Sequence, residues 1–239
     1  MCSLPQWPTL RHRCCRARER DGYNRRVVKP AATTSGGRPR GRPIGDAVNG
    51  RDRLLAAALE LFPRWGFATT RVEDLVTEAG VTAPVLYHHF GTKAGLYVAA
   101  AEHVYQLVLD RHEVILEGDP SFAEVIDRMM QLAVVIRTEQ PMLAPMMLAV
   151  VIDIQRDPGL AEQLNPTVRA FRRFFDRVAA LAPEHLRPTP AAQRSLARAL
   201  VTLMNGLDIT ALMVRTTNDY SQTVTALNAL VQLGAQPHH

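Results

Sequence analysis

Apolar positions recur along most of this chain at three- and four-residue spacing, the period of α-helices with one face turned to a core. From about residue 49 to 65, Leu54, Ala58, Leu61, Phe62 and Trp65 fall on one face, with Arg51 and Arg53 outside and Gly66 as a terminator. Thr70, with Glu73 three residues on, is a capping-box pattern, and Val72, Leu75, Val76 and Ala79 form the apolar stripe of a shorter second helix. Gly80 stands where a left-handed residue closes that helix. Thr82 then caps a third helix with Pro84 in its first turn. Leu86 and Phe90 face inward at i, i+4, His89 reads as core, and Tyr87 and His88 turn outward. After the Thr92 cap and Gly95, a long helix is predicted to residue 116, followed by helices over 121–138, 141–156, 159–181, 190–215 and 221–233. The breaks are Gly118-Asp119-Pro120, Gln140-Pro141, Asp157-Pro158, Ala182-Pro183 and Pro188-Thr189-Pro190, and Asn165-Pro166 kinks or divides one helix. Strand signals are scarce. The pattern predicts an all-α protein, an N-terminal three-helix head followed by an antiparallel helical body.

Two short helices around a tight glycine-bearing turn make a helix-turn-helix, whose second helix enters the major groove. The segment 51–109 resembles the DNA-binding domain of the TetR family of bacterial transcriptional regulators. The resemblance is carried by Leu61-Phe62-Pro63-Arg64-Trp65-Gly66-Phe67, Thr69-Thr70, Ala79-Gly80-Val81-Thr82, Leu86-Tyr87-His88-His89-Phe90 and Thr92-Lys93. Beyond these motifs the chain is similar to the family only in being helical and of suitable length. Residues 1–48, rich in Pro, Gly and Arg without sustained periodicity, read as a disordered basic arm, and the resemblance implies a DNA-binding domain (49–109) and a helical effector-binding and dimerisation domain (110–239) after it. It places Thr82, Ala83, Pro84, Val85, Tyr87 and His88 toward the groove, with Thr70 and Arg71 counted among the DNA contacts. Ala83, Pro84 and Val85 cannot hydrogen-bond a base edge through their side chains, so readout leans on thymine methyl groups and an A·T-weighted operator. Tyr87 and His88 are expected to donate to phosphates, and Lys93 to hold a phosphate together with a helix N-terminus.

Charge changes the picture at the N-terminus. The chain carries a formal +5, but residues 1–48 hold eleven basic and three acidic side chains, a net +8, which leaves −3 for the rest. Gly37-Arg38-Pro39-Arg40-Gly41-Arg42-Pro43 resembles an AT-hook, in which arginines on an extended, glycine-thinned backbone follow the narrow minor groove of A·T-rich DNA. Arg38, Arg40 and Arg42 would carry that contact; the alternative is a solvated basic linker. Cys2, Cys14 and Cys15 all lie in the arm, so no disulfide framework holds the body, which fits a reducing cytoplasm. The longest uninterrupted apolar run, residues 144–152, is short for a membrane span, and no membrane partner or signal peptide is expected.

From Leu196 to Val214 the chain is apolar nearly all round a helix, so that helix needs cover on more than one side. Leu200, Leu203, Leu207, Val224, Leu227 and Val231 are expected at a homodimer interface, the alternative being burial in a larger monomeric core. Met129, Met146, Met147, Phe171 and Phe174 suit an adaptable ligand lining, with Asn205 and Asp208 as polar anchors and His103 and His112 as further candidates; plain core is the alternative. No nucleophile–base set, metal-ligand spacing or glycine-rich phosphate loop is legible, so no enzyme activity, catalytic residue, metal or cofactor is expected. The expected function is a cytoplasmic, nucleoid-associated homodimer that binds double-stranded DNA at a palindromic operator. In it, repression is released by a small apolar or amphipathic effector. The rivals are an arm-driven DNA binder with little sequence preference and a helical small-molecule enzyme using His103, Asp153 or Asp208.

Overall fold

The computed structural model describes the backbone of residues 45–235 and side chains from Gly50 onward. Among these residues there are nine α-helices, two short 3-10 turns and no strand. The head is built from α1 (Gly45–Thr69), α2 (Val72–Ala79), α3 (Ala83–Phe90) and the start of α4 (Lys93–Glu113). A 3-10 turn at Val114–Leu116 leads to the body, α5 (Phe122–Glu139), α6 (Leu143–Arg156), α7 (Pro158–Ala180), α8 (Pro190–Met213) and α9 (Thr217–Ala235). The helical periodicity thus predicts each element to within a few residues. Pro166 lies inside α7 without dividing it.

The expected faces of α1 are largely realised, since Leu54, Ala58, Leu61 and Phe62 are buried. Trp65 is not; it is 45% exposed, with the Arg64 guanidinium 6.0 Å from its ring. The cause is Gly66, whose backbone (φ 78°, ψ 162°) kinks the helix and lets Phe67 enter the core in place of the tryptophan. Phe62, Phe67 and Tyr97 form an edge-on aromatic cluster with centroids 4.8 Å and 5.2 Å from Tyr97. The same kink displaces the expected cap of α2. Thr70 is fully buried and its hydroxyl donates to the Gly66 carbonyl (2.8 Å), while the Arg71 N–H donates to the Asp74 carboxylate (3.0 Å). The capping pair is therefore Arg71/Asp74, one residue later than Thr70/Glu73.

α4 runs unbroken through residue 109 and carries one buried side chain after another, Leu96, Tyr97, Ala100, Ala101, Val104, Tyr105 and Val108. It packs on α1, α6 and α7, so head and body share one hydrophobic core. In the body, Ser121 and Glu124 form a reciprocal capping box at the start of α5, and Asp157 and Thr189 cap α7 and α8.

α8 packs on α6 and α7, and α9 lies along α5. This assignment takes three of the expected dimer residues, Leu200, Leu207 and Val224, into the protomer's own core. Leu203, Leu227 and Val231 are half-buried against that core. The apolar side chains left exposed are Ile209, Leu212 and Met213 on α8 and Leu230 and Leu233 on α9. α8 is also the one helix among the described residues long and apolar enough by itself to cross a membrane, so it exceeds the 144–152 run in that respect.

Candidate nucleic-acid interface and cavity

The helix-turn-helix is closed by backbone geometry. Gly80 adopts the left-handed conformation (φ 60°, ψ 38°), its N–H donates to the Thr77 carbonyl (3.1 Å), and the Val81 N–H donates to the Val76 carbonyl (3.0 Å). These two bonds are a Schellman pair, which satisfies the end of α2 and aims the chain into α3. Leu75, Ala79 and Leu86 fill the angle between the helices.

Around α3 the exposed positions are Thr82, Pro84, Tyr87 (51% exposed) and His88. Thr82 begins the helix without a capping bond from its hydroxyl. Ala83 and Val85 are half-buried, and Val85 Cγ1 lies 3.2 Å from where a side chain on Gly50 would begin. Val85 therefore packs toward α1, which narrows the outward set from the six expected positions to four with Ala83 at its edge. His89 is half-buried between the His88 and Phe90 rings, and the Arg51 guanidinium lies 5.6 Å from the Phe90 ring. Arg71 is exposed at the start of α2, whereas buried Thr70 cannot reach a nucleic acid. Arg38, Arg40 and Arg42 lie outside the described residues.

Lys93 departs most from its expected role. Its ammonium donates to the Phe67 (2.8 Å) and Thr70 (2.9 Å) carbonyls and sits 4.3 Å from the Phe67 ring centroid. Burial pulls its pKa below the ordinary lysine value, against the opposite pull of Asp153 and Asp157. Two of its three N–H donors are thus spent on tying the start of α4 to the α1–α2 link. Gly95 serves the same junction, because a Cβ there would stand 2.1 Å from the Phe90 carbonyl oxygen. Asp153 on α6 reaches into the head, where its carboxylate accepts from the Phe67 N–H and the Tyr97 hydroxyl, each at 3.0 Å. Burial first, then the Asp153 charge and hydrogen bond, push the Tyr97 hydroxyl above its ordinary range. Sequence alone places Asp153 only in a rival enzyme; its one local signal is an acid interrupting an otherwise apolar helix face.

A cavity of about 350 Å³ lies inside the body, walled by residues of α4 to α9. Of the expected lining, Met147, Phe171 and Asp208 face it, while Met129, Met146 and Phe174 are packed into the core and Asn205 is off the wall. His112 is also on the wall, and Arg137, Gln140, Thr217 and Tyr220 are polar wall residues that sequence reasoning missed. Arg137 donates to the Ala211 and Val214 carbonyls at the end of α8, and its guanidinium lies 4.9 Å from the Tyr220 ring centroid. His112 Nδ1 is 2.7 Å from the Val108 carbonyl, and burial lowers the ring's pKa, so the neutral ring donates there. Its Nε2 and the Arg137 Nε have no hydrogen-bond partner among the described residues. Burial pushes the Asp208 carboxyl up to about 7. His103 lies elsewhere, in an open groove between α1, α4 and α7, where burial and then Arg51 lower its pKa.

Residues 54–100 match the profile of "Bacterial regulatory proteins, tetR family", the stretch that holds the helix-turn-helix. The chain is 31% identical over 126 residues to the HTH-type transcriptional regulator CymR of Pseudomonas putida, covering 53% of this chain and 61% of that protein. It is 36% identical over 55 residues to the HTH-type transcriptional repressor NicS of the same species, covering 23% of this chain and 26% of that protein. The chain thus spans less than two thirds of the length of either relative. A crystal structure of a transcriptional regulator from Rhodococcus sp. Rha1 superposes with a TM-score of 0.61 at 21% identity, over 79% of this chain and 99% of that one. That likeness shows the fold: an N-terminal helix-turn-helix domain on a C-terminal helical domain.

Proposed function

We propose that this chain, which carries a tetR-type helix-turn-helix at residues 54–100, is a TetR-family, sequence-specific DNA-binding transcriptional regulator. The observation that carries the reading is the exposed face of α3, with Thr82, Pro84, Tyr87 and His88 presented outward on a Schellman-closed turn. A helix presented this way inserts into the major groove, its first residues toward base edges and its later ones toward phosphates. Pro84 and the edge of Ala83 offer apolar contact to thymine methyl groups, so the operator is A·T-weighted. Tyr87, His88 and Arg71 position the head on the backbone, and the remaining N–H of Lys93 adds one phosphate contact. Arg38, Arg40 and Arg42 extend the footprint into the adjacent minor groove.

Two heads read a palindrome only if they are paired. The pairing surface proposed here is the outward face of α8 and α9, where Ile209, Leu212, Met213, Leu230 and Leu233 are exposed on neighbouring chain segments. The division of labour follows the chain, with the basic arm (1–48), the reading head (49–109), and the ligand-binding, dimerising body (110–239). A ligand in the body cavity shifts the population toward a head spacing unsuited to adjacent grooves, which releases repression in the cytoplasm. Asp153 is suited to transmit this shift, since α6 both lines the cavity and bonds the head.

The test is selection of DNA fragments by the purified full-length chain. The expected result is a palindrome with half-sites one helical turn apart and A·T-rich in its core. Selection of no common sequence favours the arm-driven binder, and a G·C-rich consensus in both half-sites overturns the readout proposed for α3.

A further inference from the structure

Building on the ligand-responsive reading above, we propose that the body cavity takes a small amphipathic amine. Its ammonium pairs with the Asp208 carboxylate, an N–H reaches His112 Nε2, and its apolar body lies along Met147, Phe171 and Met204. The donor and acceptor inventory of the wall leads there. Asp208 sits on the most apolar helix, lines the cavity and has no hydrogen-bond partner among the described residues. A half-buried carboxylate on an apolar cavity wall holds its charge more readily when a cation joins it. His112 is 2% exposed, and its bond to the Val108 carbonyl fixes the tautomer that leaves a bare lone pair on Nε2.

The wall's own cation does not answer these acceptors. Arg137 spends its terminal nitrogens on the last carbonyls of α8 and its face on Tyr220, leaving only the Nε–H without a partner among the described residues. Two unpartnered acceptors against one donor call for a ligand that brings protons. A carboxylate ligand would meet the Asp208 charge and the His112 lone pair together. Asp208 acts on Tyr105 (α4) and Tyr220 (α9) and shares the cavity wall with His112 (α4) and Arg137 (α5), with Arg172 (α7) acting on Tyr105. Burial, then the Asp208 charge, pushes both tyrosine hydroxyls up to about 12, so neither becomes an anion that competes for the ligand. A volume of about 350 Å³ lies at the small end of ligand cavities and suits a molecule below drug size.

Pairing with a cation requires ionised Asp208, whose carboxyl titrates at about 7 in the empty cavity. Amine affinity therefore rises with pH up to about 7 and levels above it, and binding near pH 6 releases a proton. The experiment is calorimetric titration of the full-length protein with 4-phenylbutylamine, 4-phenylbutanol and 4-phenylbutyrate, which share one apolar body and differ in head group. At pH 8 the amine is expected to bind at least about tenfold tighter than the other two, and about tenfold more weakly at pH 6. In D208N, with its helicity checked by circular dichroism, the amine's advantage and its pH dependence vanish. If D208N does not fold, the wild-type pH series and the proton release at pH 6 decide alone. The proposal is overturned if butyrate ranks first, if none of the three binds, if the amine affinity is flat between pH 6 and 8, or if D208N keeps the preference. Operator binding is read separately by fluorescence anisotropy. Retained DNA binding with the wrong head-group order rejects the amine and leaves the regulator standing, whereas absence of any operator rejects the regulator itself.

Discussion

Single side chains divide here between those that hold the head together and those left free to meet DNA. Tyr87 is half exposed and makes no hydrogen bond among the described residues, so Tyr87→Phe should leave the melting temperature unchanged and weaken operator binding about tenfold by anisotropy. Gly95 belongs to the first group. Gly95→Ala forces a Cβ against the Phe90 carbonyl oxygen, which is backbone and cannot swing aside. That variant is expected to melt several degrees lower and to lose operator affinity through a displaced α3. Asp208 affects stability directly. Its folded pKa of about 7 lies above the unfolded carboxyl value near 4, so the folded state holds the proton more tightly. The stability this contributes is present below about pH 4, declines as pH rises toward 7, and is gone above it. D208N should therefore melt higher than the wild type at pH 8 and match it near pH 4, as measured by thermal denaturation at both pH values.

Among the elements, α4 and α6 matter most for coupling. α4 is one continuous helix whose N-terminus is pinned by Lys93 to the carbonyls of Phe67 and Thr70 and whose C-terminal half carries Val108 and His112 on the cavity wall. α6 lines the same cavity with Leu143, Ala144 and Met147, and bonds the head through Asp153 less than two turns later. A change in the cavity thus meets the reading head through two rigid rods instead of a flexible link. Asp153→Ala would leave the Phe67 N–H and the Tyr97 hydroxyl without their acceptor, at a cost of roughly 1–3 kcal/mol for each. Asp153→Asn keeps the shape and one acceptor oxygen. It should bind a cavity ligand normally by calorimetry while that ligand's effect on operator affinity shrinks severalfold.

For the whole molecule, the question is what covers the outer face of α8 and α9. Met213 is 76% exposed and Leu230 66%, unusual values for large apolar side chains, and they mark the surface proposed for pairing. Replacing Ile209, Met213 and Leu230 together by glutamate should convert a dimer to a monomer by analytical ultracentrifugation and cost most of the operator affinity, with helicity retained. Charge is distributed just as unevenly, with +8 in the first 48 residues against −3 in the rest. Deleting residues 1–43 should reduce affinity and flatten its salt dependence by about 0.9 log unit for each phosphate no longer neutralised, while operator preference survives.

Much of this protein was legible without coordinates, because helices are local. The spacing of Leu54, Ala58, Leu61 and Phe62, the glycine at 80, and the prolines and caps between later segments each act within a few residues of themselves. Those signals determined the helices, the helix-turn-helix and the outward Tyr87–His88 pair. Tertiary structure decided whatever depends on which apolar residue wins a place inside. Phe67 displaced Trp65 once Gly66 turned the chain, Leu200 and Val224 were claimed by the protomer's own core, and Met146 packed while Met147 reached the cavity. Helical period brings apolar side chains to one face but does not say which helix will cover it. Partners far apart in the chain are set by packing, as Asp153 with Phe67 and Arg137 with Val214 illustrate, and no local pattern encodes them.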